Sequence, residues 1–120
     1  GCPFHGDCLE GLAAGPAIEK RWGKKGVELT DRKEVWELEA WYLAQACANY
    51  CMLYSPERIV LGGGVMKQPS LLPMIREAFP KHLAGYIRTD RVEDVENYIV
   101  PASLGDNQAV LGCLRLALGE

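Results

Sequence analysis

Arg58-Ile59-Val60-Leu61-Gly62-Gly63-Gly64 decides the fold. A short β-branched apolar run that stops abruptly on glycine is the signature of a buried strand. It delivers the chain into a loop where the backbone approaches something closely. Three glycines strip the turn of side chains, so main-chain N–H groups can face a ligand, typically a phosphate or a nucleotide. Glycine turns after strands also occur as plain tight turns, and the residues alone leave both readings open.

Toward the C-terminus, Val65 and Met66 lead to Pro69, and Ser70 can cap a helix from Leu71 to about Leu83. Leu71, Leu72, Ile75, Phe79 and Leu83 give that helix an apolar face, and Pro80 should end or kink it. His82, near its end, reads as a surface or helix-terminus histidine rather than a ligand. Residues 95–100 read as a second strand anchored by Tyr98 and Ile99. After Pro101 to Asp106, a last helix from Asn107 to Leu118 follows, with Val110, Leu111, Leu114 and Leu118 inward and Asp106 at its cap.

Toward the N-terminus lies the longest element. Thr30 or Asp31 can cap it, Glu34 falls in its first turn, and Val35, Leu38, Tyr42, Ala46, Tyr50 and Leu53 recur at helical spacing. It should stop near Tyr54, because a residue preceding proline, here Ser55 before Pro56, is pushed out of the α region. Before it, Gly23-Lys24-Lys25-Gly26 is a polar loop whose lysines are solvated or touch a phosphate. Residues 9–22 carry a helical stripe of Leu9, Leu12, Ala13, Ala17 and Ile18, which Gly15-Pro16 breaks into two short helices. Strands alternating with helices imply one α/β domain over residues 1–120, its strands buried between helices.

Composition narrows the classes. Hydrophobic residues make up 48% of the 120 and charged residues 24%, the balance of a globular domain with a core of its own. A net charge of −3 argues against a nucleic-acid surface built on bulk positive charge. No apolar run reaches membrane-spanning length, and no signal-peptide pattern occurs. The five cysteines are an odd number, and Cys47, Cys51 and Cys113 fall in apolar helical patterns. That usage predicts buried thiols in a reducing, cytoplasmic setting rather than a disulfide framework.

The remaining chemistry is concentrated in Cys2-Pro3-Phe4-His5-Gly6-Asp7-Cys8-Leu9-Glu10. The pattern C-x-x-H-x-x-C offers two thiolates and one imidazole, ligand types that suit tetrahedral zinc, and Pro3 and Gly6 favour a tight knuckle. Three ligands leave a fourth position for water, substrate or a residue from elsewhere. The plainer reading is two unpaired thiols and a loop histidine. A chain with no initiator Met that begins inside a motif is expected to be a fragment.

Taken together, these stretches resemble the ROK family of sugar kinases, and within it the bacterial fructokinase branch. Residues 2–17 look like that family's zinc motif, residues 59–66 like its second nucleotide motif, and residues 103–109 like its C-terminal segment. The likeness runs through the chain in the right order, which makes it more specific than any one motif. Typical glucokinases and repressors of the family carry C-x-C-x-x-x-x-C where this chain has the fructokinase-like C-x-x-H-x-x-C. The resemblance implies an actin-like ATPase fold of the ribonuclease H-like, hexokinase type, with this chain supplying most of the C-terminal lobe. It implies transfer of the γ-phosphoryl of ATP, with magnesium, to the 6-hydroxyl of fructose. It also implies a homodimer, while the acidic charge and the lack of a long apolar run lead to the expectation of no nucleic-acid or membrane partner.

By the same resemblance, Cys2, His5 and Cys8 would hold a structural zinc completed by an upstream histidine. Glu10 would accept hydrogen bonds from sugar hydroxyls. Without the resemblance it reads as a first-turn carboxylate facing a helix dipole. Gly62, Gly63 and Gly64, in a nucleotide loop over residues 61–66, would face the nucleotide, and Pro16 would border its adenine. The catalytic aspartate and first phosphate loop of the family lie upstream of the zinc motif, so no catalytic base is assigned within the chain. Glucose, mannose or an N-acetyl hexosamine are alternative substrates. A sugar-responsive repressor of the same family, or a small zinc-stabilised interaction module, are alternatives of another class.

Overall fold

The computed structural model describes residues 1–119. Among these residues, seven α-helices and two short strands follow one another, with short 3-10 turns between some of them, as α1 (Leu9–Ala13), α2 (Gly15–Trp22), α3 (Lys33–Tyr54), β1 (Ile59–Leu61), α4 (Leu71–Leu83), α5 (Asp90–Glu93), α6 (Val95–Tyr98), β2 (Ile99–Pro101) and α7 (Gln108–Leu118). The chain is therefore a mixed α/β structure, mostly helical, with a small sheet. β1 and β2 pair in parallel, Ile59 opposite Ile99, Val60 opposite Val100 and Leu61 opposite Pro101, and the Ala102 N–H donates to the Leu61 carbonyl at 2.9 Å to extend the ladder.

The core is the seam between α3 and α4, closed at one end by the buried Ile59 and Ile99 of the sheet. On α3 the buried face is Val35, Trp36, Glu39, Ala40, Ala44, Cys47, Ala48 and Cys51. Only Val35 of the expected stripe belongs to it; Tyr50 and Leu53 are exposed. Burial follows the small residues rather than the large ones, because Ala40, Ala44, Cys47 and Ala48 let α4 approach closely enough to seat Leu71, Ile75 and Phe79. Trp36 closes the other end of the seam, its indole N–H donating to the Leu29 carbonyl at 2.8 Å.

Several boundaries move for local reasons. α3 starts at Lys33 behind Arg32, with no side-chain cap from Thr30 or Asp31. It ends as expected at Ser55, which takes a left-handed conformation (φ 45°) before Pro56. Ser70 precedes α4 without capping it, its hydroxyl accepting instead from the Gln68 amide. Pro80 sits inside α4 without ending it: the helix runs on to Leu83, since only one turn follows and few hydrogen bonds depend on it. The expected strand over 95–100 is half helix. Asp94 accepts from the Asn97 and Tyr98 N–H groups and, through its carboxylate, from the Asn97 side chain, winding α6 before β2 begins at Ile99. Tyr98 and Ile99 are nevertheless the buried anchors, with Tyr98 against Phe79.

Other expectations of burial also fail. Val60 is 59% exposed, so β1 is covered on one face only. Helix α7 has no buried residue: Val110, Leu111, Leu114 and Leu118 are exposed, because no described element packs across that face. Cys113, on the same helix, is exposed too, while Cys47 and Cys51 are buried as read. No helix among the described residues is long and apolar enough to cross a membrane.

Candidate functional site

The first group of functional side chains is a knuckle. Cys2 and Gly6 exchange backbone hydrogen bonds at 3.2 and 3.0 Å, and Gly6 turns the chain with φ 71°, a conformation that favours glycine. The turn brings the Cys2 thiol, the His5 imidazole and the Cys8 thiol within 4.8 Å of one another, with Cys2 Sγ 3.9 Å from His5 Nδ1. Ligand atoms on a tetrahedral zinc lie roughly 3.5–3.8 Å apart, given metal bonds of about 2.0 Å to nitrogen and 2.3 Å to sulfur. The trio therefore fits that geometry with a slight contraction. The His5 and Phe4 amides, donating toward Cys2 Sγ, hold its thiol below the ordinary range and favour the thiolate a metal needs.

The knuckle rests on α1 through Gly11. A methyl group there would stand 2.1 Å from the Gly6 carbonyl oxygen and 2.9 Å from the Cys2 nitrogen. Both are backbone atoms that cannot swing aside. Gly11 was not picked out from the sequence, although a glycine inside a helical pattern, three residues past a candidate ligand, is a signal of close backbone approach. Glu10 stands in the first turn of α1, exposed, and its carboxylate makes no hydrogen bond or ion pair among the described residues.

The second group is a cleft at the C-terminal end of β1. One cavity of about 520 Å³ lies between Pro16 at the start of α2, Val27, Trp36, Gly64 and Gln68. Another of about 360 Å³ is lined by Gly62, Gly63, Gly64, Ala102 and Gln108. Both are bordered by Gly64 and Lys67, so they adjoin, and Lys25 adds a second cation to the wall of the larger one. Lys67 pairs with Asp106 at 2.8 Å across the mouth of the smaller cavity. Pro16 and the glycine loop thus come together in one cleft, while Glu10 and the knuckle do not line it. Lys67, Gln68, Val27 and Trp36 were missed as cleft residues, since their only common feature is their place in space.

The three glycines have different tasks. Gly63 adopts φ 100°, and a methyl group on either Gly63 or Gly64 would meet nothing within 4 Å, so both leave the cleft wall open. Gly62 is a packing residue as well: a methyl group would meet the Gln108 amide nitrogen at 2.4 Å and the Ala102 methyl at 3.1 Å.

The region can therefore do two things: hold a metal in a thiol–imidazole knuckle, and accept a flat, anionic ligand between an apolar wall and a glycine-lined turn. On a helix-rich α/β scaffold these are a thiol–imidazole knuckle with the donor set for a metal and a separate glycine-lined cleft. The chain belongs to the ROK family, whose model matches residues 1–120. A Bacillus subtilis relative is 50% identical to it over 117 residues, and fructokinases from Pediococcus pentosaceus and Streptococcus mutans are 49% and 47% identical. Each alignment covers 97% of this chain and 39% of the relative, so the chain spans about two fifths of the length of the curated relatives it matches.

Proposed function

We propose that the chain forms the nucleotide-binding part of an ATP-dependent fructokinase, belonging to the C-terminal lobe of an actin-like ATPase. The observation that carries this reading is identity of 47–49% to two fructokinases over 97% of the chain. The substrates are then fructose and ATP with magnesium, and the product is the 6-phosphate.

In this reading the adenosine lies in the larger cavity, against Pro16, Val27 and Trp36, and the phosphates run past Gly64 to the turn at Gly63. Backbone N–H groups of that turn and the ammonium groups of Lys25 and Lys67 offset phosphate charge. In-line transfer depends chiefly on such positioning and charge neutralisation. Cys2, His5 and Cys8 hold a structural zinc, which when bound supplies rigidity rather than Lewis acidity. Glu10, two residues past Cys8, accepts hydrogen bonds from fructose hydroxyls. The base that takes the hydroxyl proton belongs to the part of the enzyme outside these 120 residues, and the chain by itself is inactive. A cytoplasmic homodimer completes the proposal.

The test is a coupled assay on the full-length enzyme. Losing hydrogen bonds to a charged group of about 1.5–3 kcal/mol in total predicts that Glu10→Ala lowers kcat/KM for fructose by roughly 10- to 100-fold. Unchanged turnover of fructose after that substitution removes Glu10 from the sugar site. Absence of fructose phosphorylation by the unmodified enzyme removes the function itself.

A further inference from the structure

Arg21 joins three helices with one guanidinium. From α2, its Nη1 donates to Glu39 Oε1 on α3 and its Nη2 donates to the Leu12 carbonyl on α1, both at 2.7 Å. The plane lies over the Tyr42 ring, 5.4 Å from its centroid. Glu39 is fully buried, and its second oxygen, Oε2, has no hydrogen-bond partner among the described residues.

This is an odd arrangement for stability alone. A buried carboxylate with one oxygen unsatisfied is costly, and apolar residues of similar volume usually replace such a pair without loss. What apolar residues cannot replace is the hydrogen bond to Leu12. Helix α1 is five residues long and too short to hold its own geometry. Its first turn is fixed by the knuckle, since Cys8 is its N-cap and Gly11 its bearing surface. Arg21 fixes its other end, and Glu39 fixes Arg21.

We infer that Arg21, anchored by Glu39, is a positioning residue that sets α1, and with it the Cys2–His5–Cys8 knuckle and Glu10, against the body of the domain. The inference rests on the sugar-site reading of Glu10 above, but its effect on the metal knuckle stands apart from it. The planar fork is essential: an ammonium presents one point charge and cannot span Leu12 and Glu39 in fixed geometry.

The experiment uses the full-length enzyme and the paired substitution Arg21→Met with Glu39→Leu, which removes the buried charge and the tie to Leu12 together. The expected result is a melting temperature close to that of the unmodified enzyme, zinc held about tenfold more weakly in a chelator competition, and a raised KM for fructose with the KM for ATP unchanged. Arg21→Lys, which keeps the charge beside Glu39, is the second variant and should weaken zinc in the same direction. Zinc affinity and fructose KM both within twofold of the unmodified enzyme in a folded variant would overturn the inference. If the unmodified enzyme does not phosphorylate fructose, the function fails, and zinc affinity alone decides the role of Arg21.

Discussion

At the scale of single residues the glycines divide by what surrounds them. Gly63 has φ 100°, so an alanine there is strained whatever the space, at a cost of about 1–2 kcal/mol. Gly64 has φ −62° and open space beyond it. Gly64→Val should leave thermal stability nearly unchanged while a side chain on the cleft wall weakens ATP binding several-fold, measured by nucleotide titration. Gly63→Ala should lower the melting temperature; equal melting temperatures for the two variants would contradict the conformational account. Gly11→Ala drives a methyl into the Gly6 carbonyl and should release metal, read as zinc content per chain after dialysis. The bare wall of the Gly-Gly-Gly turn was visible in the sequence because absent side chains are themselves a sequence feature. The jamming of Gly62 against Gln108 was not, since it depends on how residues 46 positions apart meet. The grouping of the C-x-x-H-x-x-C trio was legible for the opposite reason, its three side chains being local.

Between elements, α3 and α4 show what periodicity can and cannot carry. Both helices were recognisable from spacing, and the end of α3 from the Ser55-Pro56 stop, although the expected side-chain caps do not form. The buried face of α3 was not, because large apolar residues mark a stripe only when nothing restricts approach. Here helix separation is set by Ala40, Ala44 and Ala48, and bulk on that face is what the seam cannot admit. Ala44→Leu should therefore destabilise by about 1–3 kcal/mol through overpacking, whereas Leu53→Ala, on the exposed face, should change the denaturation midpoint very little. Near-equal effects of the two would return the core to the stripe of large residues. The β2 region misled in another way: Val95, Tyr98 and Ile99 are strand-like in composition, but Asp94 offers the backbone a turn of its own, and α6 wins.

Over the whole molecule, charge burial and open surface set behaviour. Burial pushes the Glu39 carboxyl above the usual range even with Arg21 beside it. A carboxyl raised in the folded state binds its proton more tightly there than in the unfolded chain. Its contribution therefore favours folding most at acid pH and is lost as pH rises from the unfolded value of 4.5 through the folded one. Comparing urea unfolding of the unmodified protein with Glu39→Gln across that window should show this slope vanish in the variant; a slope that persists assigns it to other groups. Burial also pushes the Cys47 thiol up to about 11, while Cys113 is exposed, so a thiol reagent at pH 8 should label Cys113 well before Cys47. The sheet carries a further consequence. Since Leu61 bonds toward β2, the N–H and C=O of Val60 point the other way, along an edge with no described neighbour, beneath an exposed apolar side chain. On the far side Pro101 stands where an outward N–H would be, blunting β2 as a template. The two edges are therefore unequal templates, β1 open to a further strand and β2 blunted, and Val60→Lys should lower any concentration-dependent light scattering of the chain without altering its melting temperature.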